Sequence, residues 1–158
     1  MRVISLHQPW ASLWVAGRPY GKDIETRPWS TPYRGLVAVH AALTLDREAC
    51  LRPYFDSALA AIGFDYLSEI PLGKIVGVVE LVDCLEMTVN RTAPPGGISI
   101  AADPRLTPQE LAFGNYAIGR FAWTTGPLRR RLKEPLPHRG AQGLRPLPLA
   151  VIHRMSGR

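Results

Sequence analysis

Apolar residues come in short runs broken by proline and glycine, a rhythm that predicts short strands mixed with short helices. Val3-Ile4-Ser5-Leu6 reads as a strand. Pro9 suits the first turn of a helix that Gly17 stops, and Trp10, Leu13 and Trp14 fall at i, i+3 and i+4 on its apolar face. Residues 23–28 read as extended, with Pro28 holding Arg27 off the helical backbone. The stretch from Trp29 to Arg34 carries two prolines and reads as a loop. Leu36 to His40 is apolar on both faces, the pattern of a buried strand. Thr44 or Asp46 can cap a helix that runs towards Ile62 and ends at Gly63, with Pro53 splitting or kinking it. Lys74 to Cys84 is the clearest strand, β-branched on both faces apart from Glu80. Residues 90–105, rich in Pro, Gly and Ala, read as a surface loop. Thr107-Pro108-Gln109-Glu110 is a capping box opening a helix that ends near Gly114. Tyr116 to Thr124 and Leu149 to His153 read as further strands, and prolines 135, 137, 146 and 148 keep the segment between them irregular.

That order predicts an α+β protein, one domain over residues 1–158, built on a small β-barrel flanked by two or three helices. The chain has 158 residues, 46% hydrophobic and 20% charged, enough for a packed core without metal or disulfide support. No run approaches the roughly 20 apolar residues of a membrane span, and Gln8, Pro9 and Arg18 interrupt any leader-like stretch. The expectation is a cytoplasmic protein with no membrane partner, monomeric by default. Cys50 and Cys84 have no disulfide or zinc spacing and read as buried thiols. The four histidines are scattered, so neither a metal nor a cofactor is expected.

Charge changes this picture. The formal net charge is +6, and residues 128–158 hold eight basic residues against one acid, Glu134. A polyanion-binding surface and a merely solubilising tail both fit such an excess. The densest polar segment is Gly21 to Trp29. If it is extended, Glu25 and Arg27 share one face and Lys22 the other. The carboxylate can then accept from base N–H groups and the guanidinium can hold a phosphate, although a solvated, mixed-charge edge strand also fits. Trp10, Trp29, Tyr33 and Tyr116 are candidate stacking surfaces for bases, with core packing the competing role for Trp10. Arg139-Gly140-Ala141-Gln142-Gly143 reads as a basic turn whose backbone can approach a phosphate, Arg139 anchoring it and Gln142 reading a base edge. Glu80, on an apolar strand, needs a partner such as Lys22 or Arg34. His40, at the end of an apolar strand, reads as a satisfied core or rim histidine, with a catalytic base as the competing role.

The order Ser5-Leu6-His7-Gln8-Pro9-Trp10-Ala11, then Tyr20-Gly21-Lys22, then Glu25-Thr26-Arg27 resembles the opening of ASCH domains, a family named for homology to a transcriptional coactivator. Segments 35–41, 73–84, 114–123 and 137–144 are similar to it as well. The family's glycine two residues before the lysine is here Tyr20. The resemblance implies a PUA-like β-barrel with a cleft between barrel and helices, and RNA or DNA binding linked to transcription or translation. Together with the residue-level readings above, it gives Gln8, Trp10, Lys22, Glu25, Arg27, Trp29, Tyr33, Arg34, Tyr116, Arg139 and Gln142 as candidate contacts to RNA, DNA or a nucleotide-like molecule. Some similar proteins are enzymes, one type hydrolysing an acylated cytidine through Lys-x-x-Thr and another cleaving RNA. Here Glu25 stands at the threonine's place, so the alternative is a small hydrolase or ribonuclease with Lys22 and Glu25 as the reacting pair. An interaction module for an acidic protein is a third reading.

Overall fold

The computed structural model describes residues 1–157. Its elements are β1 (Arg2–Gln8), α1 (Trp10–Ala16), β2 (Ile24–Arg27), β3 (Gly35–Leu45), α2 (Arg47–Cys50), α3 (Pro53–Ala61), β4 (Lys74–Thr88), β5 (Gly97–Ser99), α4 (Pro108–Phe113), β6 (Phe121–Pro137), β7 (Arg145–Pro146) and α5 (Leu149–Met155), with a 3-10 turn at Leu67–Glu69. The architecture is α+β. The strands form one mixed seven-stranded sheet ordered β2-β6-β4-β3-β1-β7, with β5 paired to β4. β1 runs parallel to β3, and β3, β4 and β6 are antiparallel neighbours. Among the described residues no ladder joins β2 to β7, so the sheet is open where the pattern led us to expect a closed barrel.

Local chemistry explains most boundaries. Asp46, not Thr44, caps α2 by accepting from the Ala49 N–H, and Pro53 starts α3 as a separate helix. Thr107 caps α4 through the Glu110 N–H. Pro9, the N-cap of α1, has no side chain able to cap. Gln8 supplies that function: its Oε1 accepts from the Ser12 N–H at 3.0 Å, while its Nε2 donates to Ser12 Oγ at 2.8 Å and to the Pro71 carbonyl at 3.0 Å.

Three expectations are corrected. The segment around Pro135 and Pro137 belongs to β6. β2 pairs only with residues 121–124 of that strand, extended by the Thr125 N–H donating to the Asp23 carbonyl, so among the described residues no strand pairs with the far edge of β6 at Pro135 and Pro137, and proline's missing N–H costs no ladder bond there. Pro135 also falls where the β4–β6 register shifts. Residues 149–155 form a helix, not a strand; Val151, Ile152 and Met155 share one face and pack on Val3, Ala38, Val78 and Leu132. The 116–124 strand begins only at Phe121.

The helices cover the sheet and define the cleft. Trp14 and Val15 of α1 pack on Val37, Val39, Val76, Val79 and Trp123. Leu13 instead meets Phe55 of α3 and Phe113 of α4. Helix α1 comes down onto β4 at Gly77, where a Cβ would lie 2.3 Å from Val15 Cγ1 and 2.6 Å from the Arg130 carbonyl oxygen. No helix is long and apolar enough to cross a membrane. Cys50 and Cys84 are free, and burial raises both thiol pKa values.

Candidate functional site

A cleft of about 1160 Å³ opens between β1, β2, α4 and the turn after β6. That exceeds the roughly 300–1,000 Å³ typical of small-molecule sites. Its lining includes Lys22, Glu25, Arg27 and Trp29 of the early segment, Arg139 and Gln142 of the late turn, and Trp10. The early Lys–Glu segment and the late basic turn therefore face the same space. Arg52 and Arg120 join them, so the cleft holds five basic side chains and Glu25 as its single carboxylate.

The Lys22–Glu25 pair is buried. Lys22 is 1% exposed and its Nζ donates directly to Glu25 Oε2. Arg27 approaches the other carboxylate oxygen at 3.7 Å, which leaves Glu25 between two cations. The Arg27 guanidinium also lies 5.8 Å from the Trp29 ring centroid. Trp29 stands edge-on to Trp123 at 4.7 Å. Trp10 is fixed by donating its indole N–H to the Phe113 carbonyl at 2.7 Å. Trp10 and Trp29 are held by the core and also line the cleft.

What places the pair is a residue the sequence pattern assigned elsewhere. Glu110, 1% exposed, was expected to fold back on its own helix as the second half of a capping box. Instead Oε1 accepts from the Ile24 N–H at 2.9 Å and Oε2 from the Asp23 N–H at 3.1 Å. Burial raises its pKa, partly opposed by those two N–H groups and by Lys22 and Arg18. On the other side, Arg129 clamps Asp23 at 2.7 Å and donates to the Trp14 carbonyl at 3.0 Å. The backbone entering Lys22 is thus tied to α1, α4 and β6. Gly21 is needed there, since a Cβ would lie 2.1 Å from the Leu13 carbonyl oxygen.

Four expected contact residues lie elsewhere. Gln8 is fully buried and satisfied as the cap of α1, so it is a structural residue. Tyr33 donates to the Leu36 carbonyl at 2.8 Å and lies under Arg2, away from the cleft. Arg34 pairs with Asp83 at 3.2 Å. The Tyr116 ring packs beside the Ile24 cluster with its hydroxyl buried and without a hydrogen-bond partner among the described residues; burial raises its pKa. Glu80 pairs with neither Lys22 nor Arg34 among the described residues; its carboxylate occupies the space left by Gly126, where a Cβ would come within 2.4 Å.

The basic excess divides in the same way. Arg129, Arg130, Arg131 and Arg145 donate to backbone carbonyls of Trp14, Met155, Ile62 and Gln142. Of the basic residues from 128 onward, Arg139 alone among the described residues lines the cleft, and Arg158 lies outside them. His40 is satisfied, as expected, by Ser5 Oγ and the His138 carbonyl, each at 2.9 Å.

Fold and cleft together define an α+β protein with a basic, aromatic-rimmed surface groove. No family model matches the chain. Activating signal cointegrator 1 of Homo sapiens is 36% identical over 84 residues, which is 52% of this chain and 14% of that protein. The protein of the same name from Mus musculus is 34% identical over 84 residues, with the same coverage. The chain thus matches a minor part of these relatives.

Proposed function

We propose that residues 1–158 act as one ASCH domain of PUA-like type that binds nucleic acid, RNA in the first instance, in this cleft. The observation that carries the reading is the convergence of Lys22, Arg27, Arg52, Arg120 and Arg139 on one groove that also offers Trp10 and Trp29. Cations attract the phosphates and the rings stack the bases, the combination that single-strand binding requires. The similarity to activating signal cointegrator 1 supports a role near transcription or translation. Fluorescence anisotropy with short single-stranded RNA and DNA across a salt series tests it. About four phosphate contacts would weaken binding roughly 50-fold between about 50 and 200 mM salt. Arg139→Ala is expected to lower the salt slope by about 1. Absence of binding at low salt, or affinity indifferent to salt, rejects the reading.

A second reading rests on the buried Lys22–Glu25 contact. A lysine and a carboxylate held together beside a nucleotide cleft suit proton transfer, so a hydrolase or ribonuclease acting on RNA or modified nucleosides is the alternative. Turnover of such substrates that disappears in a folded Lys22→Ala variant would favour it.

A further inference from the structure

Ser5 and His40 are direct partners where β1 and β3 pair, and both line the cleft. His40 Nε2 lies 2.9 Å from the His138 carbonyl oxygen. A carbonyl only accepts, so Nε2 carries the proton and Nδ1 is the acceptor. The group 2.9 Å from Nδ1 is Ser5 Oγ. Ser5 therefore donates its hydroxyl proton to His40. One Oγ lone pair receives the Ala141 N–H at 3.2 Å, and the other remains free.

The surroundings keep the imidazole ready to accept that proton. Burial lowers the pKa of His40, partly opposed by the hydrogen bond to the His138 carbonyl; the His138 ring stands edge-on at 5.8 Å. His138 comes from the turn after β6; β1 presents Ser5, and β4 presents Ile75 across the ladder. Only glycine lets the turn approach the pair, because a Cβ at Gly140 would lie 2.7 Å from His40 Cε1 and 3.0 Å from Ser5 Oγ. A neutral histidine holding a serine proton, itself oriented by a fixed acceptor, is the arrangement of an activated nucleophile.

We propose that Ser5 is a nucleophile towards acyl esters, with His40 as its base and the His138 carbonyl orienting His40, and that the substrate carries its acyl group on a phosphate-bearing alcohol. The phosphate half rests on the basic-cleft reading; the serine half does not. Ser5 Oγ bonds to the carbonyl carbon as its proton passes to His40 Nδ1. The C–O bond to the alcohol then breaks, and the alcohol leaves with that proton. Water repeats the exchange and frees the carboxylic acid and Ser5. Arg139, which also lines the cleft, is the cation proposed to offset the charge that develops on the carbonyl oxygen.

The test uses the whole chain, a fluorophosphonate reporter and p-nitrophenyl acetate. Peptide mass spectrometry should find the phosphonyl adduct on Ser5. The labelling rate should rise with pH to a plateau, with its midpoint below the ordinary histidine value of about 6.5, because the neutral imidazole is the active form. His40→Asn, checked for folding by thermal melting, should label at least about 100-fold more slowly. No adduct on folded wild-type protein, or equal labelling of His40→Asn, overturns the assignment and reduces the relay to a clasp on the turn. If oligonucleotide binding persists in that case, the nucleic-acid reading stands without it. A bound oligonucleotide that slows labelling supports the phosphate-bearing substrate; one that leaves labelling unchanged overturns that half alone.

Discussion

Glu110 governs the candidate site without lining it. Strand β2 is only four residues long, and the two N–H groups at its start, on Asp23 and Ile24, find their acceptor in this one carboxylate. Each buried N–H left without a partner costs about 1–3 kcal/mol, so loss of both acceptors in Glu110→Ala should destabilise the protein by about 2–6 kcal/mol in urea unfolding. The pH dependence has a definite sign. Burial puts the folded-state pKa of Glu110 above the ordinary glutamate value of 4.5. Between those two values the folded state holds more protons than the unfolded state. Wild-type protein therefore gains stability from this group as pH falls through that window, and loses the gain as pH rises. Glu110→Ala cannot gain it, so its deficit should widen on acidification. A deficit that narrows would contradict the burial argument. Gln8 shows the same economy: its amide, expected among ligand contacts, is consumed in capping α1.

At the level of elements, the close contact between α1 and β4 constrains the cleft. Gly77→Ala would push a methyl against Val15 and against the Arg130 carbonyl, and backbone cannot yield as a flexible side chain can. Overpacking of this kind costs about 1–3 kcal/mol, which should appear as a lower melting temperature and weaker oligonucleotide binding, since α1 carries Trp10. β1, α1, β2, the Asp46 and Thr107 caps and the β4 strand were legible because local chemistry specifies them. Helix α5 was not: Val151 and Ile152 favour a strand locally, and only packing on Val3 and Val78 makes the helical spacing of Met155 count. The extent of β6 was hidden as well, because proline excludes a central strand but not a free edge, and a sequence does not say which edge is free. The same gap hid the Ser5–His40 pair, which depends on the parallel register of β1 and β3. Glycine and charge mark Lys22, Glu25, Arg139 and Gln142 locally as candidates, and all four line the cleft; Arg52 and Arg120 carry no local mark, because only the fold brings them to the same groove.

Across the whole molecule, position matters more than total charge. The net charge of +6 follows a C-terminal excess of arginine, yet most of that excess ties elements together. Arg129→Ala should therefore cost about 1–2 kcal/mol in stability through its lost hydrogen bonds, while leaving the salt slope of oligonucleotide binding unchanged. A sharper comparison sets a cleft cation against an exposed one outside the cleft. Arg52, just before α3, lines the groove; Arg154, near the end of α5, does not. Arg52→Glu and Arg154→Glu change the net charge equally, so any effect of the long-range field is common to both. Contact with a ligand phosphate is not: losing it removes one released counterion and lowers the slope by about 1. Anisotropy at matched ionic strength should show Arg52→Glu binding at least about 10-fold more weakly, the loss expected when a charge-assisted contact worth about 1.5–3 kcal/mol is removed, with Arg154→Glu close to wild type. Equal losses in the two variants would mean that the chain attracts polyanions through its overall charge, and the cleft would no longer be the place where they are held.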